Sequence, residues 1–282
     1  MRLRRTRLYI PGNNPHYVES AGLYGADAVI LDLEDSVPLD QKFDARILVK
    51  YSLQNVDMGR SEKWVRINGV DTPFWEKDLK EVLPFCDVIN LPKVESAADL
   101  NRVDDVMGAI EEEHGIEKRP VVPIIETIRG LMRAEEIAAH PRVVALAWGG
   151  EDLTADLGIP RGKALILDHV RGHIVLAAKA HGKQALDTVY SNVSDMEGLF
   201  EYARRARYMG FDGIGVIHPN QVEVVHRAFR PTDEEIEEAR RIVQAAEEAE
   251  REGKAVVSLN GRMIDRPVVE RARKILRYAE VE

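Results

Sequence analysis

Eight short apolar runs alternate with stretches of helical spacing, and this alternation restricts the fold more than any other feature of the chain. The runs are "TRLYIPG", "DAVILDLE", "KWVRIN", "VINLPK", "VVPIIET", "VVALAWG", "QALDTVY" and "DGIGVIHP". Between them lie segments such as "AADLNRVDDVMGAIEEEHG" and "DMEGLFEYARRARYMG", the latter closed by Gly210, a good helix stop. Strand and helix in strict turn imply parallel pairing, because a parallel neighbour is reached only by a crossover. Eight such units predict an α/β fold, a closed (β/α)₈ TIM barrel over residues 1–231. The alternative is an open doubly wound sheet with a nucleotide-binding Gly fingerprint after an early strand. Here the first run is followed by "PGNNPH", which does not match G-x-G-x-x-G.

After the eighth unit the pattern changes. Thr232 and Glu235 have the spacing of a capping box ahead of an acidic helix that should stop near Gly253. Asn260-Gly261 in "VVSLNGRMID" is a strong hairpin signal, since both turn residues need positive φ. "RPVVERARKILRYAEV" then reads as a helix with Pro267 in its first turn. Residues 232–282 are expected to form a helix–hairpin–helix extension.

With 282 residues, 45% of them apolar, the chain can bury a sizeable core. No apolar run approaches the ~20 residues of a membrane span, and the apolar stretch after the basic "MRLRRTRLYIPG" is too short for a signal peptide. The expectation is a soluble, cytoplasmic protein. A net charge of −9 disfavours nucleic acid or an anionic membrane as partner, so an anionic substrate would need a metal or local arginines. The single cysteine, Cys86, excludes an intramolecular disulfide and reads as a buried, inert thiol.

A barrel keeps its chemistry at the C-terminal ends of the strands. Those ends carry Asp32, Glu34 and Asp35; Arg66 and Asn68; Pro92 and Lys93; Glu126 and Thr127; Glu151 and Asp152; Asp187 and Thr188; and His218. The N-terminal ends show no matching set. Period-two alternation turns Asp32 and Glu34 inward, opposite Leu31 and Leu33, and likewise pairs Arg66 with Asn68 and Glu126 with Ile124. Like charges crowded at the close of a buried strand raise the cost of ionising one another. Convergent carboxylates, with no H-x-x-x-H spacing at a strand end, favour a hard cation such as Mg²⁺ over zinc. Structural roles compete at each position: Glu126 and Asp152 also suit helix caps, Arg66 a pairing with an acid of the second run, His218 a hydrogen-bonded rim, Asp265 a cap of the last helix, and Asn13 the turn alone.

The motifs "LYIPGNNP", "ADAVILDLEDSVP", "WVRINGVDTP", "LPKVESAADL", "PIIETIRGL", "LAWGGEDLTADLG", "GFDGIGVIHPNQ" and "NGRMIDRP" together resemble the citrate lyase β-subunit-like branch of the HpcH/HpaI aldolases, which includes malyl-CoA and citramalyl-CoA lyases. The resemblance covers nearly the whole chain. It implies a Mg²⁺-dependent carbon–carbon lyase, with Mn²⁺ as a substitute. Such an enzyme joins or separates an acetyl thioester, on CoA or an acyl carrier, and a 2-oxo acid such as glyoxylate or pyruvate. By motif, Glu126 and Asp152 would hold the metal and Arg66 the 2-oxo acid, with Glu34 and Asp35 around the metal-bound water. Pro11, Gly12, Asn13, Gly149, Gly150 and Glu151 would contact substrate. Asp265 would act as acid/base in a neighbouring subunit's site, the extension serving as a lid within a homotrimer or hexamer. The resemblance implies as alternatives the β subunit of a citrate lyase, acting on a citryl thioester, and a thioesterase or malate-synthase-like activity. One stretch departs from the pattern: His16 and Ser20 stand where an Arg and a Lys often hold a CoA phosphate, leaving Arg4, Arg5 or Arg7 as substitutes.

Overall fold

A computed structural model describes residues 2–251, 257–259 and 262–279. The chain divides into two compact units, Met1–Ala228 and Phe229–Glu282.

In the first unit, β1 (Thr6–Pro11), β2 (Ala28–Asp32), β3 (Glu62–Arg66), β4 (Val88–Leu91), β5 (Val121–Ile125), β6 (Ala145–Trp148), β7 (Gln184–Asp187) and β8 (Gly213–Val216) pair in parallel in chain order. The β1–β8 pairing, with Arg7 opposite Gly215, closes the barrel. Every residue of β2, β4, β5, β6, β7 and β8 is buried, as strands covered by helices on one face and a filled bore on the other must be. Alternate residues fill that bore: Ala28, Ile30, Trp64, Val88, Val122, Ile124, Ala145, Ala147 and Leu186 form one cluster. The helices bury the complementary stripe. Helix Ala97–His114 turns Leu100, Val103, Met107 and Ile110 inward, opens where the Asp99 carboxylate accepts the N–H groups of Glu95 and Ser96, and stops at left-handed Gly115. Helix Met196–Met209 stops at Gly210, as its sequence predicts.

The N-terminal end of the barrel is closed by polar groups. Arg4 grips the Glu62 carboxylate at 2.7 and 3.0 Å and donates to Gln184 Oε1 at 2.7 Å, joining β1, β3 and β7 across the bore. Trp64 Nε1 adds a bond to Glu62, and Arg5 is bidentate to Asp27. This corrects the expectation that Arg4, Arg5 or Arg7 serves CoA. Arg4 and Arg5 precede β1, so the parallel sheet sets them at the end opposite the mouth, buried in ion pairs, and Arg7 turns into the bore at 1% exposure. Cys86 is buried against the Leu83 carbonyl, and burial pushes its thiol up to about 12, which keeps it inert.

The second unit comprises helix Asp233–Arg251, the antiparallel strands β9 (Val257–Leu259) and β10 (Arg262–Ile264), and helix Arg266–Ala279. The capping box forms: Thr232 N–H donates to Glu235 Oε2 at 2.9 Å, and Glu235 N–H donates to Thr232 Oγ1 at 3.2 Å. The expected Asn260-Gly261 turn and the helix stop near Gly253 lie outside the described residues. Among the described residues, no helix is long and apolar enough to cross a membrane.

Candidate active site

The C-terminal strand ends surround a cleft of about 430 Å³. Asp32, the last residue of β2, sits in its wall at 2% exposure. Its carboxylate accepts from Glu34 N–H and Ser36 and takes both Arg66 Nε and Nη2 at 2.7 Å. Burial alone would raise its pKa; the charge and hydrogen bonds of Arg66 outweigh burial and hold it below the ordinary range. Arg66 closes β3 beside it, stacked over the Tyr9 ring at 5.3 Å, and the same acids hold it charged against its own burial.

Glu34 continues the inward face predicted for it. Its Oε1 lies 3.3 Å from Lys93 Nζ and its Oε2 3.0 Å from Arg66 Nη1. The second contact is misaligned for a hydrogen bond, so this buried oxygen has no hydrogen-bond donor among the described residues. Burial raises the Glu34 carboxyl, against the pull of Arg66. Glu126, one residue beyond β5, is 4% exposed and accepts Lys93 N–H through Oε2 at 2.9 Å. Burial, with Glu34 and Asp152 adding repulsion, pushes its carboxyl up to about 8. Lys93 serves both acids because its backbone is left-handed, with φ 54°.

After β6 the chain turns at Gly149 into helix Gly150–Asp156. A Cβ on Gly149 would stand 2.6 Å from Glu126 Oε1, so only glycine lets the loop pass this close. Gly149 N–H donates to Ile125 O and Gly150 N–H to Thr188 Oγ1, both at 3.0 Å. The N–H groups of Glu151 and Asp152, in the first turn, have no acceptor within the helix. Arg161 straps the loop from outside, joining Glu151 Oε1 at 2.9 Å to Val189 O at 2.7 Å. Asp152 lines the cleft and is not the helix cap, a place taken by Gly149.

Asp32, Asp35, Arg66, Glu126, Pro11, Gly149, Gly150, Glu151 and Asp152 thus share one cleft, with Glu34 bonded into its wall. Other expected residues of the first unit fall elsewhere. Gly12 is buried beneath the rim, its N–H on Asp32 O, and Asn13 bonds Gln41. Asn68 turns out to Asp78, and Asp187 turns outward to Arg171 and Trp148, leaving Thr188 as the inward residue of that pair. His218 is exposed and does not line the cleft. The His169–His173 spacing lies on helix Leu167–Ala180, away from the cleft lining. Asp265, in the second unit, accepts Val268 N–H at 3.3 Å and so caps the last helix. Sequence reasoning missed Tyr9, Lys93 as a bridge, Trp148 and Arg161. The alternation of β1 signalled Tyr9; nothing in "LGIPRGK" signalled Arg161.

The carboxyl groups of Asp32, Glu34, Asp35, Glu126 and Asp152 outnumber the cations touching them, Arg66 and Lys93. A hard divalent cation fits this donor set, which offers an unbonded buried Glu34 oxygen and a Glu126 carboxyl that its surroundings resist ionising. Among the described residues no group of three or more His, Cys, Asp or Glu side chains converges as a closed metal cage, so protein ligands would complete only part of a coordination sphere.

Comparison with known proteins places the chain in a family. Residues 5–219 match the model of the HpcH/HpaI aldolase/citrate lyase family. The chain is 43% identical to citrate lyase subunit beta of Leuconostoc mesenteroides subsp. cremoris, over 99% of this chain and 94% of the relative. It is 40% identical to a (3S)-malyl-CoA thioesterase of Cereibacter sphaeroides, over 98% of this chain and 94% of the relative. Among solved structures it resembles CitE of Mycobacterium tuberculosis in complex with magnesium, acetoacetate and coenzyme A, with TM-score 0.81, 36% identity, and coverage of 99% of this chain and 98% of that one. The TIM barrel, its mouth of acids and these matches make the chain a member of the HpcH/HpaI aldolase/citrate lyase family.

Proposed function

We propose that this protein is a Mg²⁺-dependent carbon–carbon lyase that cleaves, or forms, a 3-hydroxyacyl thioester such as malyl-CoA or citramalyl-CoA, giving an acetyl thioester and a 2-oxo acid. The observation that carries the reading is the convergence of Glu126, Asp152, Glu34 and Arg66 on one cleft whose acids lack sufficient cations. Relatives at about 40% identity, named as a citrate lyase subunit and as a malyl-CoA thioesterase, support it.

Glu126 and Asp152 would hold Mg²⁺ (or Mn²⁺), with Glu34 and Asp35 binding its waters. Once bound, the cation supplies Lewis-acid polarisation of the 2-oxo acid's oxygens. Arg66, fixed by Asp32, directs its remaining N–H at the carbonyl or carboxylate oxygen of that acid, and the first-turn N–H groups of Glu151 and Asp152 take the carboxylate. The Asp32 pair fixes Arg66, and the bonds of Gly149 and Gly150 to Ile125 and Thr188 fix the loop, so these donors need little reorganisation while charge develops. In cleavage, a carboxylate of the cleft takes the substrate hydroxyl proton, the hydroxyl-bearing carbon becomes the carbonyl of the 2-oxo acid as the adjacent C–C bond breaks, and the bonding pair passes to the thioester as an enolate. Asp265 of a neighbouring subunit would protonate that carbon, the second unit acting as a lid in a homotrimer or hexamer.

The test is turnover of racemic malyl-CoA and citramalyl-CoA with and without Mg²⁺, followed by mass spectrometry. Glyoxylate or pyruvate together with acetyl-CoA is the expected result. Free CoA without a 2-oxo acid would instead establish a thioesterase, and activity confined to a citryl carrier protein a citrate lyase β subunit. Asp152→Ala should lower kcat at least 10²-fold, the usual scale for removing an electrostatic group from a site, with circular dichroism unchanged; normal turnover in that variant would sink the metal assignment.

A further inference from the structure

The His169–His173 spacing is a metal-ligating pattern that the cleft chemistry does not use. Both residues lie on helix Leu167–Ala180, four positions apart, and so are neighbours on one helix face. Their rings stand edge to face, with centroids 6.4 Å apart. His169 is exposed and His173 half-buried. Two imidazoles that share a tetrahedral ion through bonds of about 2.0–2.1 Å have centroids about 5 Å apart, so a small side-chain rotation brings both to one ion.

The face around them is uncharged. Between Asp168 and Lys179 the residues that reach solvent are His169, Gly172, His173 and Leu176. Leu176 is 72% exposed, and Leu165, just ahead of the helix, is 97% exposed. The charges at the edges are already matched: Asp168 pairs with Arg205 and Arg171, and Lys179 with Asp212. In a chain with 31% charged residues, a leucine-bearing helix face without charge marks a surface that a partner covers. Two imidazoles are also only half of the four donors that a zinc-like ion takes. Among the described residues no third His, Cys, Asp or Glu joins them within one chain. A second copy, turned about a two-fold axis through the ion, supplies the other two imidazoles from the same residues and lays its own leucines against these. Gly172, with no side chain, lets the two helices approach closely there.

We infer that His169 and His173 form half of a transition-metal site, completed by the same pair of a second copy, so that a zinc-class ion joins two chains through this helix. The site differs in chemistry from the cleft. Imidazole suits Zn²⁺, Ni²⁺ or Cu²⁺, whereas carboxylates suit Mg²⁺. The inference stands independently of the lyase reading.

Analytical ultracentrifugation of the untagged protein, in excess Mg²⁺ to keep the acids of the cleft occupied, reads the assembly directly. Added Zn²⁺ should double the mass of the species found with Mg²⁺ alone, at one ion for every two chains, and a chelator should reverse it. His169→Ala and His173→Ala should each raise the Zn²⁺ concentration needed at least about 10-fold. Both side chains reach the surface, so circular dichroism should show these variants folded. Leu176→Glu should prevent the doubling while calorimetry still detects Zn²⁺ bound by the histidines. An unchanged mass with Zn²⁺ would overturn the inference. So would a doubling that survives the chelator or either histidine substitution.

Discussion

Lys93 holds a left-handed backbone that costs an L-residue about 1–2 kcal/mol, and it gains from this the reach to serve two acids at once. Its N–H fixes Glu126 and its ammonium faces Glu34. Strain of this kind concentrates where position matters more than stability. Lys93→Ala and Lys93→Gly both delete the ammonium, and only the second relieves the backbone. Chemical denaturation should therefore find the Gly variant more stable than the Ala variant by about 1 kcal/mol. Equal stabilities would mean that the conformation carries no strain.

At the scale of elements, the loop between β6 and helix Gly150–Asp156 is held by Thr188 at the end of β7, by the Ile125 carbonyl and by Arg161. Thr188→Val keeps the shape and leaves the Gly150 N–H without its acceptor, a loss of about 1 kcal/mol or more for a buried donor. Its expected signature is weaker Mg²⁺ activation with the thermal transition lowered by a few degrees; unchanged activation would show that the loop needs no support from β7. The elements themselves were legible in the sequence. The period-two runs and the Gly210 stop place strands and helices where the structure has them, because a barrel strand must satisfy two apolar environments at once. Asp32, Glu34, Arg66 and Glu126 were legible for the same reason. Arg161, Lys93 and the outward turn of Asn68 were not, since each depends on a contact made between segments far apart in the chain. The error over Arg4 and Arg5 was avoidable in principle: strand direction alone sets residues preceding β1 at the closed end.

For the whole molecule, acid sensitivity should begin at that closed end. Burial alone would raise the Asp27 carboxyl, but the hydrogen bond and charge of Arg5 hold it below the ordinary value. A carboxyl depressed in the folded state adds stability that is complete above its unfolded pKa of about 3.9 and disappears as pH falls through the folded value. Asp27→Asn should be less stable than wild type at neutral pH and lose less between about pH 4 and pH 2; parallel pH profiles would exclude the pair as a source of acid lability. The proposed sharing of Asp265 between subunits is tested at the same scale. Asp152→Ala and Asp265→Ala should each be inactive, and co-expressed together should regain activity through mixed sites. No recovery in a confirmed mixed oligomer would confine each site to one chain.

The clasp of Arg4, Glu62 and Gln184 has a consequence for how such an enzyme diversifies. It ties β1, β3 and β7 together at the end remote from the cleft, so the barrel's closure does not depend on which side chains line the rim. Val189 and Ile217, outside the buried cluster, can then vary with little effect on folding, and a new acid can be accommodated by drift at one end while selection for heat resistance acts at the other.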